Sequence, residues 1–145
     1  MQKPNPDIMR AAIEVAKANR TPFGAALSMG DEIFVTAANH TKELSDPTAH
    51  AEIMAIRKLA EHLKKTNLSG FTLYTTCEPC PMCMSAAIWA KVDAIFYGCT
   101  IPEISLFMDQ IDMRAEDLNI KSFHRVTILD SVLKDECINL LNKFH

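Results

Sequence analysis

Two short runs constrain this chain more than anything else in it: His50-Ala51-Glu52 and, downstream, Pro79-Cys80-Pro81-Met82-Cys83. An imidazole and two thiolates form a donor set that suits zinc, and three protein donors leave the fourth tetrahedral position open. Structural zinc sites are closed by four ligands, so the pattern points to a catalytic ion. Any fold open to this sequence has to bring the two runs together.

Periodicity says what carries them. From Asp7 to Asn19, Ile8, Ala11, Ala12, Val15 and Ala16 recur at helical spacing behind Pro4 and Pro6. Phe23 to Met29 and Glu32 to Ala38, separated by the turn dipeptide Gly30-Asp31, read as a hairpin. Asp46-Pro47 supplies an N-cap and a first-position proline. The apolar residues Ile53, Ile56, Leu59, Ala60 and Leu63 then carry a helix to Lys65, with His50 and Glu52 in its first turn.

Phe71 to Thr76 reads as a strand, broken by Cys77 to Pro81. Met82 to Lys91 is the next helix, with Cys80 and Cys83 at its start, where positions i and i+3 share a face. Free N–H groups and the positive end of the helix dipole favour thiolates there. Two more strands, Ala94 to Gly98 and Val126 to Leu129, precede a terminal helix over Val132 to Phe144, while residues 100–122 show no clear period. Alternating helices and strands predict a three-layer α/β/α sandwich around one five-stranded mixed sheet, in a single domain of residues 1–145.

Composition works mainly by exclusion. A chain of 145 residues, 48% hydrophobic, has enough apolar material for one core. No apolar run approaches the roughly 18 residues of a membrane span, and the start lacks a secretory leader's apolar stretch. Five cysteines, three of them at 77, 80 and 83, fit a metal site in the reducing cytoplasm better than a disulfide framework, with Cys99 and Cys137 as plain buried thiols. Cys77, Cys80 and Cys83 overlap the start of an iron–sulfur run, but Ala87 stands where its fourth cysteine belongs. A net charge of −3 without a block of Lys or Arg gives no footprint for long nucleic acid and favours a small substrate.

Zinc lowers the pKa of bound water from about 16 to about 7, which makes a nucleophile available at neutral pH. Attack on an amidine-type ring carbon needs a ring nitrogen protonated, and the exocyclic amine leaves only when it too gains a proton. One carboxylate beside the ion can carry both protons, and Glu52 is the candidate. A glutamate in a helix's first turn is by itself ordinary dipole complementation. Its place two residues after His50, together with the cysteine pair, marks it as more.

Together, His-x-Glu and Pro-Cys-x-x-Cys form the zinc-deaminase signature. The chain resembles the nucleobase and nucleoside branch of the cytidine deaminase superfamily, and is most similar to bacterial guanine deaminases. The resemblance rests on Pro22-Phe23-Gly24-Ala25, Asn39, Asp46-Pro47-Thr48-Ala49-His50-Ala51-Glu52 and Tyr74-Thr75-Thr76-Cys77-Glu78-Pro79-Cys80-Pro81-Met82-Cys83. It implies one zinc per subunit on His50, Cys80 and Cys83, with Glu52 as proton shuttle. It further implies that Asn39 hydrogen-bonds the purine, that Phe23 stacks on it, and that Ala51 and Trp89 contribute to the pocket; for Trp89, core packing is the competing role. Asp112, or failing it Asp109, is the carboxylate expected to read the ring N–H groups of guanine. Phe144 is the one C-terminal aromatic placed to close the pocket as in some relatives.

The expected activity is therefore hydrolysis of guanine to xanthine and ammonia by a cytoplasmic, zinc-dependent homodimer. Adenosine in a tRNA anticodon is the second reading, since those deaminases share His-Ala-Glu and Pro-Cys-x-Met-Cys. The negative charge, and a terminal helix with only Lys134 and Lys143, weigh against it. Cytosine, a nucleoside or an aminated triazine stays open. So does a non-catalytic zinc protein, against which Glu52 argues.

Overall fold

The computed structural model describes residues 2–145. Helix α1, Pro6–Ala18, starts where Asn5 caps it: the Asn5 side chain accepts the Asp7 N–H at 2.9 Å, and Pro6 occupies a first-turn position that needs no donor. Strands β1, Gly24–Met29, and β2, Glu32–Ala38, form the expected antiparallel hairpin, with Gly30 at φ 59° in the turn. A short helix α2, Thr41–Leu44, leads to α3, Ala51–Leu63. Then follow β3, Thr72–Cys77; α4, Pro81–Ala90; β4, Ala94–Cys99; the short helices α5, Ile101–Ile104, and α6, Ala115–Asn119; β5, Thr127–Leu129; and α7, Lys134–Phe144.

The five strands form one sheet in the order β2-β1-β3-β4-β5. β1 runs antiparallel to β2 and β3, while β3, β4 and β5 are parallel, so the sheet is mixed as expected. Alternation along each strand sends successive side chains to opposite faces. Leu27, Leu73 and Ile95 pack with Ala55 and Leu59 of α3 and Met84 and Ile88 of α4. Ala26, Tyr74 and Phe96 pack with Met9 and Ile13 of α1 and Leu140 and Leu141 of α7. Two apolar layers on one sheet give the three-layer α/β/α sandwich.

One local expectation needs correction. Helix α3 begins at Ala51, not at Pro47, because the Asp46 carboxylate serves its own turn, accepting the Thr48 N–H at 2.9 Å and the Thr48 hydroxyl at 2.7 Å. His50 is therefore the cap residue and not part of the first helical turn. Residues 100–122, unreadable by period, hold α5 and α6, each too short to show one.

Candidate active site

The parallel strand β3 ends at Cys77, and α3 and α4 start beside that end. Proline at 81 disfavours helical backbone at the residue before it, so Cys80 stays extended at φ −65°, ψ 168° and caps α4, with Cys83 one turn on. His50 is likewise extended at φ −68°, ψ 159°. Its turn is fixed by the Arg57 guanidinium, which donates to Asp46 Oδ2 at 3.2 Å and to Thr48 Oγ1 at 3.3 Å.

These two helix starts bring the three donors together. His50 Nδ1 lies 3.7 Å from Cys80 Sγ and 3.5 Å from Cys83 Sγ, and the three donor atoms all lie within 4.8 Å of one another. Zn–N and Zn–S bond lengths in a tetrahedron call for N···S edges of about 3.6 Å. The donor set and its spacing both fit zinc, and three ligands leave one position for water.

The donor groups act electrostatically on one another and on Glu52. A hydrogen bond from Cys83, then one from His50, holds the Cys80 thiol down at about 4 despite its burial. Cys80 in turn pushes the His50 imidazole up, and its hydrogen bond with Cys83, together with burial, pushes the Cys83 thiol up. Glu52, 5% exposed, is raised to about 7, first by burial and then by the adjacent Cys80 thiolate. A carboxyl near 7 can both accept and return a proton at neutral pH.

A cavity of about 250 Å³ opens onto this cluster. His50, Glu52 and Cys80 form its floor, with Phe23 and Asn39 among its walls. The Oδ1 of Asn39 is buried and has no hydrogen-bond partner, so an acceptor is held ready at the cavity wall. Ala51 is fully buried between His50 and Glu52 at the first position of α3 and is not part of the wall.

Trp89 and Asp112 are not at the cavity. Six residues beyond Cys83, Trp89 lies about 240° around α4 from that ligand; it is 72% exposed and its ring meets Phe123 at 4.9 Å. Asp112 is exposed on the loop beyond the wall, and Asp109 lines the cavity instead, with Ile104, Met108 and Gln110. The C-terminal residues Phe144 and His145 border an adjoining recess that shares Phe23, Asn39, Thr41 and Met108 with the cavity.

Thr41, Ile104, Met108 and Gln110 also line the cavity, and they come from segments whose sequence has no readable period. Glu78 is a further cavity residue without a role in the sequence reading. That side chain is 1% exposed and lines the cavity, and it accepts the Arg114 Nε–H at 2.9 and 3.0 Å. Its position within Cys77-Glu78-Pro79-Cys80, a charge at the end of a fully buried strand, was the available signal.

Comparison with known proteins agrees with this geometry. A guanine deaminase of Bacillus subtilis is 38% identical over 116 residues, 75% of this chain and 74% of that protein. A tRNA-specific adenosine deaminase of Buchnera aphidicola is 35% identical over 140 residues, 94% of this chain and 85% of that protein. The X-ray structure of a guanine deaminase from Bacillus subtilis superposes with a TM-score of 0.68 at 34% identity, covering 86% of this chain and 87% of that one. Residues 3–99, which include all three donors and Glu52, match the model of the cytidine and deoxycytidylate deaminase zinc-binding region, and the chain belongs to that family of zinc-dependent deaminases.

Proposed function

We propose that the protein hydrolyses the exocyclic amine of a free purine base, converting guanine and water to xanthine and ammonia. The observation that carries this reading is the cavity itself, in which Glu52, His50 and Cys80 face an unpartnered Asn39 acceptor. At about 250 Å³ it is smaller than drug-sized pockets of roughly 300–1,000 Å³. One small heterocycle suits that space. Guanine offers ring and amino N–H groups to acceptors, which matches the Asn39 oxygen and the Asp109 carboxylate on the wall.

His50, Cys80 and Cys83 would hold the zinc, which would supply the acidity that lets water act as nucleophile near neutral pH. Glu52 takes a proton from the attacking water and passes it to the ring nitrogen beside the attacked carbon. The second water proton goes by the same carboxylate to the amine, the C–N bond breaks, and ammonia leaves. Phe23 stacks on the base and Asn39 fixes its orientation. Ammonia release with guanine as substrate tests the reading; turnover of adenosine in a tRNA anticodon stem-loop with none of guanine would replace it. That second reading draws support from the relative that matches 94% of this chain, and the net charge of −3 speaks against it.

The working form in this reading is a homodimer. Helix α4 is apolar nearly all round, with Ser85 its one hydroxyl or charged side chain, and Trp89 and Phe123 stack while 72% and 63% exposed. A helix of that kind is normally covered, and a second copy is the partner expected. Trp89→Glu should halve the mass measured by sedimentation. The cytoplasm is the compartment proposed, since Cys77, Cys80, Cys83, Cys99 and Cys137 are all free thiols. Among the described residues no helix is long and apolar enough to cross a membrane.

A further inference from the structure

The geometry points to Glu78 as a positioning residue that sets the substrate-reading wall of the cavity, an assignment that rests on the deaminase reading above. Glu78 follows Cys77 at the end of β3 and stands two positions before Cys80. Its backbone N–H donates to the Cys99 carbonyl at 2.7 Å, which fixes the residue between β3 and the end of β4. Its carboxylate gathers donors from both ends of the segment that follows β4. Oε1 accepts the Ile101 N–H at 2.8 Å, and Oε2 accepts the Ala115 N–H at 2.8 Å. The Arg114 Nε–H is shared between the two oxygens, and the Arg114 guanidinium also donates to the Tyr97 hydroxyl at 3.2 Å.

One carboxylate thus closes residues 101–115 into a loop and ties both its ends to the turn that carries Cys80. Within that loop lie Ile104, Met108, Asp109 and Gln110, all on the cavity wall. Ile101 and Ala115 are the first residues of α5 and α6, so the tie uses backbone donors that short helices leave unpaired. A buried carboxylate costs several kcal/mol in desolvation unless its lone pairs are met. Here the charge-assisted bonds meet them, and the direction they enforce is that of the wall towards the zinc ligands.

This arrangement separates two tasks. The zinc donors and Glu52 come from α3 and α4, while the wall residues come from a loop whose sequence has no period and whose position is set by Glu78. Loss of the tie should therefore weaken substrate binding more than it slows chemistry.

Because Glu78→Gln puts an amide among three donors and risks the fold, the leading variant is Arg114→Ala, whose side chain is 41% exposed. Ammonia release from guanine would be followed in wild type, Arg114→Ala, Arg114→Lys and Glu78→Gln, with zinc per subunit measured in each. For Arg114→Ala the expected result is a KM raised about tenfold with kcat within about threefold, the size expected for one charged hydrogen bond lost from a positioning tie. Zinc content should stay at the wild-type value, and Arg114→Lys, which keeps one donor, should fall between. An unchanged KM, or a fall in kcat that tracks zinc loss, would overturn the assignment. If wild type releases no ammonia from guanine, the substrate reading fails by itself, and amide hydrogen exchange decides the clamp without substrate. Faster exchange over residues 102–113 in Arg114→Ala supports it, and unchanged exchange there refutes it.

Discussion

His50 Nδ1 sits 3.5 Å from Cys83 Sγ across 33 positions of chain, close to the N···S edge of a zinc tetrahedron. Donors at that spacing predict zinc binding that is lost when either end is removed. His50→Ala or Cys83→Ser should leave less than about one-tenth of the wild-type zinc, given that structural ligand sets hold zinc with 10–16 kcal/mol of apparent free energy. Elemental analysis of dialysed protein measures this, and full zinc content in Cys83→Ser would dismiss the ligand set. The sign of the pH effect follows from the protons that zinc binding has to displace. His50 and Cys83 are both pushed up, so zinc must displace protons from them, and its affinity should rise with pH and fall on acidification.

In the proposed reaction Glu52 moves two protons per turnover, and the neutral amide of a glutamine in its place can move none. Glu52→Gln should lower kcat by roughly 10²–10⁴-fold while KM and zinc content change little, since general acid–base groups contribute on that scale. Steady-state ammonia release alongside zinc analysis separates this role from a structural one. Parallel loss of zinc and activity would assign Glu52 to holding the site together.

These two predictions draw on the part of the molecule that was legible from sequence. The His50, Cys80 and Cys83 donors and Glu52 could be read because helix starts and a proline fix their side chains within a few residues of chain. The sheet could be read because both its layers are buried and its strands are apolar. Trp89 was misplaced because a helix can turn an aromatic to either side, and on α4 nearly every side is apolar. The wall at residues 101–115 could not be read because Glu78 fixes it through space, from more than twenty positions away.

Asn39 carries a buried oxygen with no partner, a state that costs about 1–3 kcal/mol unless a ligand relieves it. Asn39→Ala should therefore cost substrate affinity without costing stability. The expected outcome is a KM raised at least about tenfold, with a midpoint in urea equal to or above wild type. A clear drop in urea midpoint would show instead that the amide ties the strand end.

Gly24 opens β1 directly after Phe23, and a methyl built on it would stand 2.0 Å from the Ala12 carbonyl oxygen and 3.0 Å from the Ala16 Cβ. The obstruction is helix backbone, which cannot rotate aside as a flexible side chain would. Gly24→Ala must therefore push α1 away from β1, and with it the Phe23 end of the strand that walls the cavity. Overpacking of this kind costs about 1–3 kcal/mol or more, which urea unfolding would show as a lowered midpoint with an unchanged slope. Activity at temperatures where the variant is still folded should fall through KM, because Phe23 moves while His50, Cys80 and Glu52 lie on other elements. A variant as stable as wild type would mean that α1 is free to shift, and that the position of Phe23 does not depend on its close approach to β1.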